Sequence, residues 1–461
     1  MEDILKEKLP LEVAEYKHFV VNYLLPLLGL KNITLQYINT PLANSGAEYI
    51  YRDGENVVFT NGKSILFKLG AGFEFSEDSV KISNLIVGWF TKVSKYNIVT
   101  GKRKISYESD IIQSNNYELA IQNGICEWIG GAKNKNVERL FNILEHWVVK
   151  TYEGHNVTLG VIINPCKKST FDTTFGDWCE FLNDDFSALL TDCVNSVVEL
   201  DKNCNFCRYI SITENNRLKE TRLVHDVPYK FTSIINEYVI GECVGIFLLA
   251  NGDIILSKNG KVLFVRRNFK WLNFSYEAFE KVIYHNFGKN YVDDSLLKEI
   301  FASTLDVSFS HLGGIISVVD KDADLTDEDG SHIINKADCL LEQISLKELK
   351  AELQAFGLSE EEANHRVLKR NVILELTKGK DFAKLDRKLR CELISLDGAC
   401  VINTSGKARS FGAIIKNDND SSGGGRGAAA KKLSGYGFAI KISTDGYVEL
   451  YINGEIKYAI K

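Results

Sequence analysis

Six two-residue turn signals fall in three pairs that share one spacing. Asp53-Gly54 and Asn61-Gly62 lie in "YRDGENVVFTNGKSILF", Asn251-Gly252 and Asn259-Gly260 in "ANGDIILSKNGKVLFV", and Asp445-Gly446 and Asn453-Gly454 in "TDGYVELYINGEIKY". Such dipeptides supply the positive φ angles of tight hairpin turns, and the six residues between the turns of each pair suit a strand of ordinary length. Each segment is expected to form a short antiparallel meander, which excludes an all-helical bundle. Beyond the turn spacing the three segments share little sequence, so three separate hairpin units are expected rather than an internal repeat.

Helical patterns separate the meanders. Apolar residues recur at three- and four-residue steps over residues 136 to 154, with Gly154 as the expected stop, and the strand-like "VTLGVIINP" follows. This places a boundary near residue 150. Residues 344 to 376 read as a charged helical hairpin turning at "FGLS" (356 to 359), between the strand-like runs "HLGGIISVVD" (311 to 320) and "CELISLDGACVI" (391 to 402). The expected fold is α/β, with mixed sheets and flanking helices. Its expected divisions are an N-terminal α/β region (1-150), a sensor-like domain (151-300) and a C-terminal domain (301-461).

Several function classes are disfavoured. A net charge of -6 argues against an extended basic surface for nucleic acid or anionic lipid. The apolar stretch "FVVNYLLPLLGL" (19 to 30) is broken by Asn22 and Pro26 and falls short of the roughly 20 residues that span a bilayer, so a buried helix and no membrane contact are expected. The start "MEDILKEKLP" lacks a signal-peptide pattern, and ten cysteines, mostly isolated in apolar contexts, fit a reducing cytoplasm.

Weaker signals read as structure. Cys204 and Cys207 form a CxxC without the second pair a zinc site needs. The acidic run 320 to 330 has Leu325 where a calcium loop requires glycine. Arg266, Arg267, Lys270 and Trp271 could meet a phosphate, but are expected to guard an exposed strand edge. His311 is expected to be a satisfied core or strand-end histidine and not a ligand.

The stretch "GGGRGAAAKKLS" (423 to 434) carries chemistry. A glycine turn opening a short helix offers free amides and the positive end of the helix dipole, with Arg426 and Lys431 or Lys432 as cations, which is a geometry for phosphate. It is neither a P-loop nor a dinucleotide fingerprint. The "SSGGG" ahead of it could equally be a linker, but the strand pattern on both sides places it inside a folded unit. Upstream, Asp397 stands among apolar residues and is expected to need a metal or an arginine as partner.

"DGA" at 397 to 399, then "GGGRGAAA", then "GFAIKISTDGYVELY" resemble the diadenylate cyclase (DAC) domain, with "HLGGIISVVD" similar to its first core strand. The resemblance spans about residues 300 to 461. It implies a nucleotidyltransferase that joins two ATP molecules into cyclic di-AMP, a bacterial second messenger, under control of the N-terminal region. It implies Asp397 as a catalytic ligand for Mg2+ or Mn2+, Arg426 as a catalytic phosphate-binding side chain, and Gly398, Ala399, Gly424, Gly425 and Ser434 as further nucleotide-binding positions. It also implies a facing homo-oligomer, because each ATP attacks the other. The sequence departs from the family at Gly427 and Ala428, where histidine and a basic residue or threonine are usual, and at Gly435, where an acidic residue is usual. A catalytically silent nucleotide-binding sensor is the alternative.

Overall fold

The computed structural model describes residues 9–28, 30, 35–41, 48–53, 56–60, 64–69, 77–94, 110–131, 135–172, 174–182, 191–212, 225–325, 332–334, 338–340, 345–355, 358–416 and 424–461. They form an α/β fold in two compact units, one of residues 1–222 and 231–275, the other of residues 223–230 and 276–461. The division expected at 150 falls within the first unit. That expected at 300 falls inside a continuous helix, because the two helices that follow Ser275 pack on the second unit's sheet.

The first unit opens with α1 (Leu11–Phe19), a π-helical turn (Val20–Leu24) and α2 (Leu25–Leu27), where Pro26 is tolerated in the first turn. This is the buried helix expected from the early apolar run, and Phe19 stacks on Phe90 at 4.2 Å between ring centres. Strands β1 (Gln36–Pro41), β2 (Ile50–Asp53), β3 (Asn56–Thr60) and β4 (Ser64–Leu69) form an antiparallel sheet of order β1-β4-β3-β2. Of the turn residues of this first meander, Asp53 ends β2, and Gly54, Asn61 and Gly62 lie outside the described residues. Helices α3 (Glu77–Val93), α4 (Asp110–Gly130) and α5 (Asn136–Trp147) follow. Helix α5 stops seven residues before Gly154. That glycine, at φ +82°, instead turns the two-residue strands β5 (Thr151–Tyr152) and β6 (His155–Asn156).

A seven-stranded sheet completes the unit. It contains β7 (Leu159–Ile163), β8 (Ser196–Leu200), β9 (Phe206–Ser211), β10 (Val244–Leu248), β11 (Ile254–Lys258), β12 (Lys261–Arg267) and β13 (Lys270–Leu272), in the order β13-β12-β11-β10-β7-β8-β9. Helix α6 (Phe175–Leu182) lies between β7 and β8, and α7 (Thr232–Tyr238) between β9 and β10. The cluster lies at an edge only in part: Lys270 is exposed on the edge strand β13, whereas Arg267 is buried with two-pronged hydrogen bonds to Asp253, Arg266 pairs with Glu145, and Trp271 is buried.

The second unit begins with α8 (Tyr276–Phe287) and α9 (Asp294–Phe309), the latter capped by the Asp293 carboxylate and closed by Ser310, with His311 next at φ +51°. Strand β14 (Gly314–Val319) then enters the sheet. The helical hairpin appears as α10 (Leu346–Ala355) and α11 (Glu360–Thr377), with Ser359 and Glu362 in a reciprocal capping box, followed by α12 (Arg387–Ile394). This excursion is the crossover that lets β15 (Ala399–Asn403) run parallel to β14. Strand β16 (Ala408–Ala413), α13 (Gly424–Leu433), β17 (Gly437–Ile442), β18 (Val448–Ile452) and β19 (Glu455–Ile460) complete a sheet of order β16-β15-β14-β17-β18-β19. Of the acidic run, residues 326 to 330 lie outside the described residues.

The alanines after Arg426 have a packing reason. Ala429, Ala430 and Leu433 join Ile315, Val401 and Ala439 in the core beneath α13, and small side chains let the helix axis approach the sheet closely. On α12, the buried Arg387 reaches Asp306 of α9, Nε to Oδ2 at 2.6 Å, and donates to the Val227 carbonyl at 2.7 Å. This clamp fixes α12 three residues before Asp397.

Candidate functional site

The N-terminal ends of the parallel strands β14 and β15 lie side by side. Ile316 pairs with Cys400 in parallel register, with Gly313 one residue before β14 and Asp397 two residues before β15. The Arg426 guanidinium lies on Gly313: a Cβ added to that glycine would stand 2.1 Å from Nη1 and 2.6 Å from Cζ. The DGA aspartate and the arginine of the glycine turn, 29 positions apart in sequence, therefore lie at the same end of the sheet, where β14 and β15 begin.

Both side chains are uncommitted. Asp397 and Arg426 are exposed, and neither makes a hydrogen bond or ion pair with any described residue. The apolar surroundings inferred for Asp397 are not there, since its neighbour Leu396 is itself exposed at 36%. Thus Asp397 carries no burial cost that a partner must offset.

The glycines divide by role. Gly398, at φ +114°, would place a Cβ 2.4 Å from the Gly412 carbonyl carbon, so the crossing of β15 and β16 requires it whatever binds nearby. Ala399 is buried and pairs with Ala413. Gly424 needs its φ of +72°. Gly425 has no positive φ, and no described residue lies within 4 Å of an added Cβ; the described residues give no reason for glycine there, while a ligand drawn up to the helix N-terminus would.

Ser434 stands apart. It is buried at the far end of α13, about 12 Å along the helix from Arg426. Its hydroxyl donates to the Lys431 carbonyl at 2.7 Å and accepts from the Gly454 amide at 2.9 Å, tying the helix end to the last hairpin. Lys431 and Lys432 also lie in the last turn, away from Arg426.

Two other cations, not visible as site residues in sequence, approach the same region. Lys441 Nζ lies 3.9 Å from where a Gly427 Cβ would stand, and donates to Glu449 at 3.0 Å. Burial acts to raise the Glu449 carboxyl, but hydrogen bonds from Lys461, Lys441 and Tyr451 outweigh it and hold the group at about 2. Lys369 donates to the Gly412 carbonyl at 2.7 Å, beside the Asp397 backbone. Leu312, Leu396 and Ile414, next in sequence to Gly313, Asp397 and the end of β16, are exposed.

Among the described residues no group of three or more His, Cys, Asp and Glu is assembled for a metal. Asp397 alone fits the mode in which Mg2+ takes one carboxylate and the phosphates of its nucleotide. Among the described residues no helix is long and apolar enough to cross a membrane.

No family model and no curated protein matches the chain. Among solved structures, a hypothetical membrane spanning protein from Bacillus cereus is similar over 40% of this chain and 73% of its own, with 16% identity and a TM-score of 0.25. A double mutant of DacA from Staphylococcus aureus is similar over 36% of this chain and 88% of its own, with 13% identity and a TM-score of 0.21.

Proposed function

We propose that the second unit binds ATP and acts as a nucleotidyltransferase of diadenylate cyclase type, with the first unit as its controlling region. One observation carries the reading: two opposite charges, each exposed and without a partner among the described residues, lie at the same sheet end beside a helix N-terminus where no described residue requires glycine at position 425. Arg426 and the first amides of α13 would take the phosphates, and exposed Leu312, Leu396 and Ile414 would offer apolar contact to the flat face of a base.

In the reaction, the ribose 3'-hydroxyl of one ATP attacks the α-phosphate of the other. A phosphodiester forms, pyrophosphate leaves, and the hydroxyl proton passes to solvent; the same step in the opposite direction closes the ring. A divalent cation, held by Asp397 and the phosphates, would neutralise charge on the nucleotide. Arg426 orients the α-phosphate and offsets the charge that grows on its oxygens. The two nucleotides must face each other, so two chains must associate.

A second reading has its own observation. Gly427 and Ala428 are buried in the first turns of α13 and present no side-chain donor where the family has one, which favours a receptor that holds a nucleotide without turning it over. Purified protein incubated with labelled ATP and Mg2+ or Mn2+, followed by chromatography, separates the two. The enzyme gives a cyclic dinucleotide that Asp397→Ala abolishes and Arg426→Ala lowers by about 10²–10³. The receptor retains intact ATP, and Arg426→Ala releases it. Absence of both binding and turnover refutes the proposal.

A further inference from the structure

The sheets of the two units have one wiring. In the first, β7 runs parallel to β8, β8 pairs antiparallel with β9, and β7 pairs antiparallel with β10, which continues into β11 and β12. In the second, β14, β15, β16, β17, β18 and β19 repeat each of these relations in the same chain order. Topology alone can recur by convergence.

The agreement extends to single residues. Val244 pairs with Lys258 and Leu248 with Ile254, as Phe438 pairs with Ile452 and Ile442 with Val448. The bulge between Leu256 and Ser257 has its counterpart between Leu450 and Tyr451, in the middle strand of each meander. Leu200 pairs with Phe206 and Glu199 with Arg208 across a register shift, as Ile402 pairs with Ala408 and Val401 with Ser410.

The turn between the second and third strands is also shared. Asp201 Oδ1 accepts from the amides of Asn203 and Asn205, and Asn403 Oδ1 accepts from those of Ser405 and Lys407. The left-handed position that follows is Cys204 at φ +64° in one and Gly406 at φ +82° in the other. After α7, the Val239 carbonyl accepts from Gly260 in the Asn-Gly turn; after α13, the Ser434 carbonyl accepts from Asn453, one position earlier in the corresponding turn, so both helix ends are tied to that turn but through different residues.

The chemistry is not shared. The place of Asp397 falls on Asn195, bonded to the Asp192 carboxylate through its amide and side chain. There Thr158 Oγ1 donates to the Thr191 carbonyl and Thr191 Oγ1 accepts from the Gly160 amide, so the strand ends satisfy themselves. Helix α7, "TSIINEY", contains neither glycine nor cation.

We infer that the two sheets are copies of one fold, duplicated within the chain, and that the first copy has lost nucleotide binding, so that each chain holds a single nucleotide. The nucleotide count rests on the reading of the second unit given above. The full-length protein is titrated with α,β-methylene ATP and Mg2+ by equilibrium dialysis. One nucleotide per chain, falling to none in Arg426→Ala, is expected. Two per chain, or one that survives Arg426→Ala, overturns the loss of binding in the first copy. No binding to the unaltered protein refutes the nucleotide reading and the count with it.

The duplication itself is judged by Asn403→Asp, which installs the carboxylate that the first copy uses. It should leave Tm within about 2 °C, while Asn403→Ala lowers it by roughly 2–8 °C. Equal losses in both variants would overturn the equivalence of the turns, with or without nucleotide.

Discussion

Gly425→Ala separates what the fold needs from what a ligand needs. Gly425 is the second residue of α13, has no positive φ, and no described residue lies within 4 Å of where a Cβ would stand. Alanine in a helix is favoured over glycine by about 0.5–1 kcal/mol, which at about 2–4 °C per kcal/mol raises Tm by roughly 1–4 °C. Nucleotide binding should move the other way. The methyl group occupies the space where a phosphate would approach the main chain, and a hydrogen bond to a charged group contributes about 1.5–3 kcal/mol. Losing one weakens binding about 10- to 100-fold. Thermal melting and a titration with the methylene analogue of ATP, on the same samples, read both effects. A variant that is stabilised yet binds as tightly as the parent would refute the assignment of the helix N-terminus to phosphate.

The remaining glycine and ion-pair predictions test the scaffold. Gly398→Ala forces a Cβ against the Gly412 backbone at a φ alanine does not adopt; a loss of about 2–5 kcal/mol is expected, seen as a lower denaturation midpoint. Arg387→Ala removes the counter-charge of Asp306, whose carboxyl is already held above its ordinary value by burial that outweighs the arginine, and should cost about 3–5 kcal/mol at neutral pH. The folded state then favours protonated Asp306, so stability is present at low pH and lost as pH rises above the unfolded value of about 3.9. The Tm gap to the parent should therefore narrow on acidification, and a pH-independent gap would contradict this. Glu449 is the opposite case: its depressed carboxyl contributes stability that is complete above the ordinary value of 4.5 and is lost toward about 2. Glu449→Gln should flatten that part of the acid melting profile.

How much of this was legible follows from what each feature depends on. The second and third meanders and the helical hairpin were legible because turn dipeptides and apolar periodicity act locally. Gly154 misled because a glycine after a helical pattern signals a stop, but cannot say whether a residual hairpin intervenes. Asp397 misled for a related reason. Its sequence neighbours are apolar, yet it lies in the exposed link before β15, where Leu396 is exposed as well and does not enclose it. Lys441 was invisible because its partner, Glu449, is fixed by strand register, and Ser434 was misplaced because ten residues of helix separate the two ends of one motif.

The duplication shows the same limit most sharply. Between residues 244–267 and 438–461 only Ile246/Ile440, Gly252/Gly446, Leu256/Leu450, Asn259/Asn453 and Gly260/Gly454 agree. Three of these five are turn residues, where backbone conformation restricts the choice. Elsewhere the same backbone role is filled by different chemistry: Asp201 or Asn403 accepts the same pair of amides, and Cys204 or Gly406 takes the same left-handed turn. A shared turn spacing is weak support for a repeat when strand residues disagree, yet it was the part of the pattern that backbone geometry holds in place. The strand residues answer instead to the particular neighbours they bury against, and those neighbours differ between the two units.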